Sequence, residues 1–274
     1  MNIDLSIHTD LAQKILTGFI KSEITRVGFT RAVIGLSGGI DSALSCELAA
    51  EALGPDNVLA VRMPYKTSSA DSLEDAEKTA TRFGVRMETI EITPMVEPLI
   101  QLDPQISNVR KGNLMARARM IVLYDQSEVF RGLVVGTSNK TEILLGYTTL
   151  WGDMAAAINP IGDLYKTQVR QLSRARGVPP SVIDKAPSAD LWKGQTDESE
   201  LGFTYDEVDK LLYLLVDRRF SVDDCIAAGF GKEFVNQVVG RIRRSQYKRM
   251  MPPIAKLSNR TVGYDFLYLR DWGT

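Results

Sequence analysis

The sequence predicts an α/β protein built on a doubly wound parallel sheet with added C-terminal helices. Three observations carry that expectation. Short β-branched apolar runs alternate with stretches of helical periodicity, a Gly-Gly turn joins the first run to the helix behind it, and only helical patterns follow residue 163.

An amphipathic helix opens the chain, with Leu11, Ile15, Phe19 and Ile24 at helical spacing and Leu16, Ile20 and Val27 beside them. Residues 31–36 (RAVIGL) are the first strand, ended by Ser-Gly-Gly and followed by a helix over 42–53. The second strand is 58–63, and the helix after it, 69–83, has Ser69 and Asp71 as candidate caps. Residues 86–92, with Met87, Thr89 and Glu91 alternating, are the third strand. Such alternation of strand and helix demands parallel pairing through crossovers. A long helix over 112–130 leads into 132–136 (GLVVG), a strand of buried composition, and the sequence TSNKTE opens the next helix. The helix over 163–176 is stopped by Gly177 and two prolines behind it. Residues 179–202 are rich in turn formers and are expected to be a long surface loop, a candidate lid. Helices over 205–216, 221–228 and 232–249 complete the chain. With no repeat or linker in between, one domain is expected: an opening helix (1–30), a core (31–178), the loop (179–202) and a helical C-terminal part (203–274).

With 33 basic and 34 acidic side chains the formal charge is −1, so the broad positive field needed for non-specific nucleic-acid binding is missing. The longest purely apolar run, 211–216, is far short of the ~20 residues of a membrane-spanning helix, and Asp4 and Asp10 stand where an export signal would be basic and then apolar. Cys46 and Cys225 lack metal-type spacing and read as packing residues of a reduced, cytoplasmic protein. His8 is the only histidine, which removes Ser-His-Asp, Cys-His and histidine-zinc chemistry. Carboxylates, lysines, arginines and backbone amides remain to do any chemistry.

The sharpest feature is the stretch Gly35-Leu36-Ser37-Gly38-Gly39-Ile40-Asp41-Ser42, between the first strand and its helix. Two glycines let the backbone approach an anion, toward which the following helix points its N–H groups and the positive end of its dipole. A phosphate chain fits there, and Ser37 and Ser42 add hydroxyl donors. Asp41 can join a phosphate site only across a cation, which implies magnesium. The bland alternative for these residues is a Gly-Gly turn with Asp41 and Ser42 as helix caps. Other phosphate motifs are absent: the Gly231-Lys232 pair has Ile226 where a Walker A loop needs glycine, and Gly229-x-Gly231 has Phe234 in place of the third glycine of a dinucleotide fingerprint.

SGGIDS after a strand resembles the pyrophosphate loop of the ATP pyrophosphatases, a superfamily with an adenine-nucleotide hydrolase type of doubly wound sheet. Five further segments, KGNLMARARM (111–120), VVGTSNKTEILLGY (134–147), NPIGDLYKTQV (159–169), KAPSADL (185–191) and TDESELGFTYDEVD (196–209), together resemble the ammonia-dependent NAD synthetases, in order over roughly residues 5 to 250. The resemblance implies ATP-dependent amidation of deamido-NAD by ammonia through an acyl adenylate, in a homodimer whose dinucleotide site lies at the subunit boundary. The rivals are another amidating enzyme of the superfamily and a non-catalytic ATP-binding regulator of the same fold.

The resemblance implies that ATP's phosphates lie on residues 35–42, that Asp41 and Glu142 hold magnesium, and that Arg62, Thr137, Lys166 and Ser188 contact the nucleotide. It implies that Arg117, Asp153, Tyr247 and Lys248 meet deamido-NAD, and that Asp41, Glu142, Asp153 and Lys166 carry the catalysis, Asp153 as the group that orients ammonium and takes its proton. The basic run around Lys248 reads either as a solvated helix face or as a phosphate-facing end of the substrate site. Three positions depart from the family pattern: Leu150 stands where many members have lysine, Ala157 where they have aspartate, and Tyr247 where they have histidine. All three belong to the dinucleotide side. Losing one lysine and one aspartate together keeps the local charge unchanged, and tyrosine can still donate a hydrogen bond.

Overall fold

Helix α1 (Thr9–Arg26) starts where the His8 ring accepts the Leu11 amide, and it packs through Ile20 and Ile24, both fully enclosed. In the computed structural model, which describes residues 3–188 and 196–265, Leu11 and Ile15 are more than half exposed. The packed stripe runs along the helix through Ala12, Leu16, Phe19, Ile20 and Ile24, and Leu11 and Ile15 of the expected face stay open beside it.

The chain continues through β1 (Ala32–Gly35), α2 (Ile40–Leu53), β2 (Val58–Arg62), α3 (Ala70–Phe83, capped by Ser69) and β3 (Arg86–Thr89). Helix α2 begins at Ile40, two residues before its periodicity, so Asp41 and Ser42 lie in its first turn. Strand β3 stops at Thr89, short of the expected Ile92, which is instead buried at the head of α4 (Thr93–Gln101). That helix is hidden in the sequence by Pro94 and Pro98; the first sits in the opening turn, where proline lacks no needed N–H. Helix α5 (Asn108–Phe130) starts four residues before the expected 112, because the Ser107 side chain accepts the Arg110 amide. Then come β4 (Leu133–Val135), α6 (Lys140–Leu145), α7 (Lys166–Ala175), α8 (Pro180–Ile183), α9 (Asp197–Leu201), α10 (Tyr205–Leu212), α11 (Val222–Ala227) and α12 (Lys232–Arg244).

The expected surface loop over 179–202 is corrected at both ends. Helices α8 and α9 bury Val182, Ile183, Asp197 and Leu201, so the apolar side chains among the turn formers anchor the segment; residues 189–195 lie outside the described part. The expected helix over 232–249 ends at Arg244, and a 3-10 turn carries Gln246–Arg249.

All four strands are parallel, in the order β3-β2-β1-β4. The chain steps outward from β1 through β2 to β3, then returns to pair β4 with the other edge of β1. Where the order reverses, the carboxyl ends of β1 and β4 part and leave a crevice. Alternation along β1 sends Ala32 and Ile34 into a core shared with α1, α2 and α7, and Val33 into one shared with α4 and α5. Helices thus cover both faces, as a doubly wound sheet requires. A third core, including Leu145, Tyr165 and Val208, ties α6 and the start of α7 to the C-terminal helices. Among the described residues no helix is long and apolar enough to cross a membrane.

Candidate active site

The glycine loop leaves β1 into the crevice and is fixed by its own serines. The Ser37 amide donates to Ser42 Oγ (3.2 Å), the Gly39 amide to Ser37 Oγ (3.2 Å), and Ser42 Oγ to the Gly39 carbonyl (2.9 Å). Gly38 has φ +82°, and a Cβ there would lie 2.1 Å from the Ser72 carbonyl oxygen, so the loop presses on the first turn of α3 and only glycine fits. No side chain caps the start of α2. Its first-turn amides face the crevice, an arrangement suited to an anion.

Lys166, the first residue of α7, is buried and joins two carboxylates. Its Nζ donates to Asp41 Oδ2 (2.5 Å) and Glu142 Oε1 (3.2 Å), and stands 5.2 Å from the centre of the Tyr205 ring. Burial pushes the Glu142 carboxyl up to about 8, aided by the charges of Asp41 and Asp197, while Lys166 pulls the other way. Burial also opposes the charge on Lys166, but Asp41 and Glu142 outweigh it and hold the ammonium protonated well above its ordinary range. Near neutral pH the three groups thus hold a proton between the two carboxylates as well as the ammonium, a store that a bound cation would release.

That convergence of carboxylates bears on magnesium. Asp41 and Glu142 converge closely enough to share one ammonium, and burial and crowding raise the Glu142 carboxyl. This hard-oxygen pair fits a magnesium ion whose remaining ligands are phosphate oxygens and water. Among the described residues no three His, Cys, Asp or Glu side chains form a metal group by themselves, so phosphate would have to complete the set.

Two cavities meet at the loop. An apolar slot of about 260 Å³ is walled by Leu36, Met63, Pro64 and Leu123. A polar cavity of about 390 Å³ holds the glycine loop, Glu142, Lys166 and Ser188. Ser37, Ser72, Thr137 and Asp153 line both, so the two adjoin at these side chains. Arg62 also walls the slot, with its guanidinium given to the Leu73 carbonyl (2.8 Å) and Thr89 Oγ1 (3.1 Å). Asp153 accepts the Thr149 amide (2.6 Å), and desolvation in the cleft raises its carboxyl.

The residues expected to meet deamido-NAD are more scattered. Arg117 is exposed on α5 and donates to the Leu150 carbonyl (3.3 Å), and Tyr247 is 62% exposed. Lys248 lines an open groove of about 620 Å³ with Leu150, Trp151 and Tyr124, which shares Met120 and Ala155 with the wall of the apolar slot. Its ammonium is given to the carbonyls of Gly146 (2.8 Å) and Thr148 (2.6 Å). Arg249 likewise donates to the Ile143 and Leu144 carbonyls, so this end of the basic run clamps the end of α6, a use outside both readings of the sequence.

Three residues of the cluster escaped the sequence reading. Asn139 is buried, donates to Asp41 Oδ1 (2.8 Å) and forms a reciprocal cap with Glu142, which fixes both carboxylates; its signal is the capping spacing Asn139-x-x-Glu142. Asp209 accepts Thr141 Oγ1 (2.6 Å) and the Thr167 amide (2.8 Å), locking the head of α7 against α6. Asp197 accepts hydroxyls from Tyr147 (3.2 Å) and Tyr205 (3.1 Å) and adds negative charge near Lys166. The last two have no local signature, because their partners lie far off in sequence.

A family model described as NAD synthase matches residues 12–252. The NH(3)-dependent NAD(+) synthetase of Trichlorobacter lovleyi is 58% identical over 98% of this chain and 98% of its own, and that of Chlorobaculum parvum 55% identical over 98% and 97%. Among solved structures, the NMN synthetase of Francisella tularensis superposes with a TM-score of 0.81 at 32% identity, covering 91% of this chain and 99% of its own. The NH3-dependent NAD synthetase of Campylobacter jejuni gives 0.78 at 32% identity, covering 91% and 100%.

Proposed function

The chain belongs to the NAD synthase family, and we propose that its cleft makes NAD from deamido-NAD, ammonia and ATP by way of an acyl adenylate. It is a ligase that forms a carbon–nitrogen bond. One observation carries the reading: an apolar slot of about 260 Å³ adjoins, at Ser37, Ser72, Thr137 and Asp153, a cavity built around a glycine loop suited to anions. Adenine occupies the slot, the β- and γ-phosphates lie on residues 37–42, and the α-phosphorus comes to the shared wall at Thr137 and Asp153.

The carboxylate oxygen of deamido-NAD attacks the α-phosphorus, the bond to the bridging oxygen breaks, and pyrophosphate departs with the electron pair. Loop amides and the Lys166 ammonium stabilise the charge that develops there. A magnesium ion held by Asp41 and Glu142 would neutralise phosphate charge in this step. Ammonia then attacks the acyl carbon, Asp153 takes the proton, and AMP leaves as the amide forms. No covalent enzyme intermediate is needed. Cys46 is buried, which pushes its thiol up to about 12, and Cys225 is buried and raised in the same way, as suits packing thiols in a reducing cytoplasm.

A homodimer completes the reading. Leu11 and Ile15 on α1 and Ile121, Tyr124 and Val129 on α5 are exposed apolar side chains available to a second copy. Light scattering at micromolar concentration should give twice the chain mass; an active monomer overturns this part.

Deamido-NAD labelled with heavy oxygen in its carboxylate tests the chemistry. The AMP formed with ATP and ammonium should carry one labelled oxygen. Label entering AMP from bulk water instead would mean hydrolysis of ATP, and the acyl-adenylate reading would fall.

A further inference from the structure

The described lining of the phosphate cavity includes four carboxylates, Asp41, Glu142, Asp153 and Asp197, against two ammonium groups, Lys166 and Lys185. Lys166 is committed to Asp41 and Glu142. With Lys166 and any magnesium on the α2 side of the cavity, a departing pyrophosphate gains from a further cation on the wall toward α3, where no other ammonium of the described lining stands.

Lys185, just beyond α8, stands on that side. Its Nζ donates to Ser72 Oγ (2.9 Å) and Asp75 Oδ2 (3.3 Å). Ser72 is the residue whose carbonyl presses on Gly38, so the ammonium sits beside the tightest point of the loop. The Lys185 side chain is 30% exposed while that of Asp75 is 6% exposed, and Asp75 Oδ1 is fixed by the Ser181 hydroxyl (2.8 Å). A half-open cation is thus tethered to a buried, immobile carboxylate at the wall of an anion cavity. A lysine serving only to pin the 179–202 segment to α3 has no need to face that cavity.

We propose that Lys185 is the cation that receives the leaving pyrophosphate, with Asp75 as the positioning residue that keeps it beside the glycine loop. The proposal rests on the reaction given above. As the bond between the α-phosphorus and the bridging oxygen breaks, the electron pair passes to the β-phosphate. Lys185 then turns from Ser72 Oγ to a phosphate oxygen, keeping its contact with Asp75 and its proton.

Calorimetric titration of the whole protein with magnesium pyrophosphate tests this. Lys185→Met should weaken binding by about tenfold or more, and Lys185→Arg should restore it to within about threefold of wild type. Lys185→Gln, which keeps a donor for Ser72 and Asp75 but removes the charge, should behave like the methionine variant and covers the case in which that variant fails to fold. The KM for ATP should rise in parallel while that for deamido-NAD changes less than about twofold. Asp75→Asn should weaken pyrophosphate binding by about three- to fivefold and also spare the KM for deamido-NAD. Pyrophosphate binding within twofold of wild type in Lys185→Gln, or an equal rise in both KM values, would overturn the proposal and leave a structural pin. The titration contains no deamido-NAD, so its failure counts against Lys185 alone, whereas failure of deamido-NAD to drive pyrophosphate release counts against the reaction alone.

Discussion

The two halves of the cleft are built to different standards. Around Asp41, Glu142 and Lys166 every charged atom has a partner before any ligand arrives, with Asn139 and Asp209 holding the helix heads that carry them. Around Lys248, Tyr247 and Arg117 the surface is open, and the cations are given to backbone carbonyls. A site that must stabilise a transient charge gains from groups already in place, since moving them during the reaction would cost energy at that moment. A site that only holds a large substrate can complete itself on binding, with contacts from the substrate and a second copy of the chain. Of the departures from the family pattern, Leu150 and Tyr247 lie in the open half, and none falls among the pre-wired residues, which fits that division of labour.

Breaking the wired half should cost most. Lys166→Met leaves two half-buried carboxylates facing each other, and kcat for pyrophosphate release should fall more than about 100-fold, by about 3 kcal/mol or more. Asp41→Asn and Glu142→Gln should each cost about 100-fold, with higher magnesium recovering little. Near wild-type rates in these variants would show the cluster to be mere structure.

A second way to sharpen the comparison lies further along the same helices. Arg176, at the end of α7, donates twice to Glu47 on α2 (2.8 and 2.7 Å), so α2 and α7 are pinned opposite to where they carry Asp41 and Lys166. Burial pushes the Glu47 carboxyl up to about 7, against the pull of Arg176. Its folded value thus lies above the ordinary 4.5, so the protonated form contributes stability that is fully present below about pH 4.5 and lost as pH rises through 7. Relative to Glu47→Gln, the wild type should lose about 2 to 3 kcal/mol of unfolding free energy between pH 4.5 and 8, read from urea titrations. A pH-independent difference would show that Glu47 is ionised throughout.

The open half should yield smaller changes. Lys248→Met should raise the KM for deamido-NAD by about tenfold at most while sparing that for ATP. Tyr247→Phe should change either constant by no more than about threefold, since an exposed hydroxyl exchanges one solvent hydrogen bond for another. A 100-fold loss in Tyr247→Phe would mean that the open surface is wired after all, through a partner.

The legibility of the sequence follows the same line. The glycine loop and Glu142 could be read because their geometry is local, a strand followed by a turn and a helix head. Asp197 sits in the acidic run TDESE and Asp209 in amphipathic α10; the family resemblance covers both, but no local spacing assigns them a task, because their tyrosine and threonine partners are brought in by folding. Helix α4 was obscured by its two prolines, and α8 and α9 by the turn formers between them, although buried Val182 and Leu201 anchor each end. The stripe on α1 was visible as a stripe, but which of its side chains meet the core depends on how the helix lies against α2 and α7.

The strand order has a consequence for synthesis on the ribosome. Ala32 pairs with Val58, which emerges soon after it, and with Leu133, which emerges much later. The nascent chain can close β1, β2 and β3 into a small layer while one edge of β1 still waits for its neighbour. Contacts of such long sequence separation are slow to form. Thr137, Glu142 and Lys166 all follow β4, so the glycine loop exists for much of translation without the lysine that neutralises Asp41 or the groups beside it. The growing chain therefore gains an exposed sheet edge before it gains an active site, and that interval is when it most needs protection from other chains.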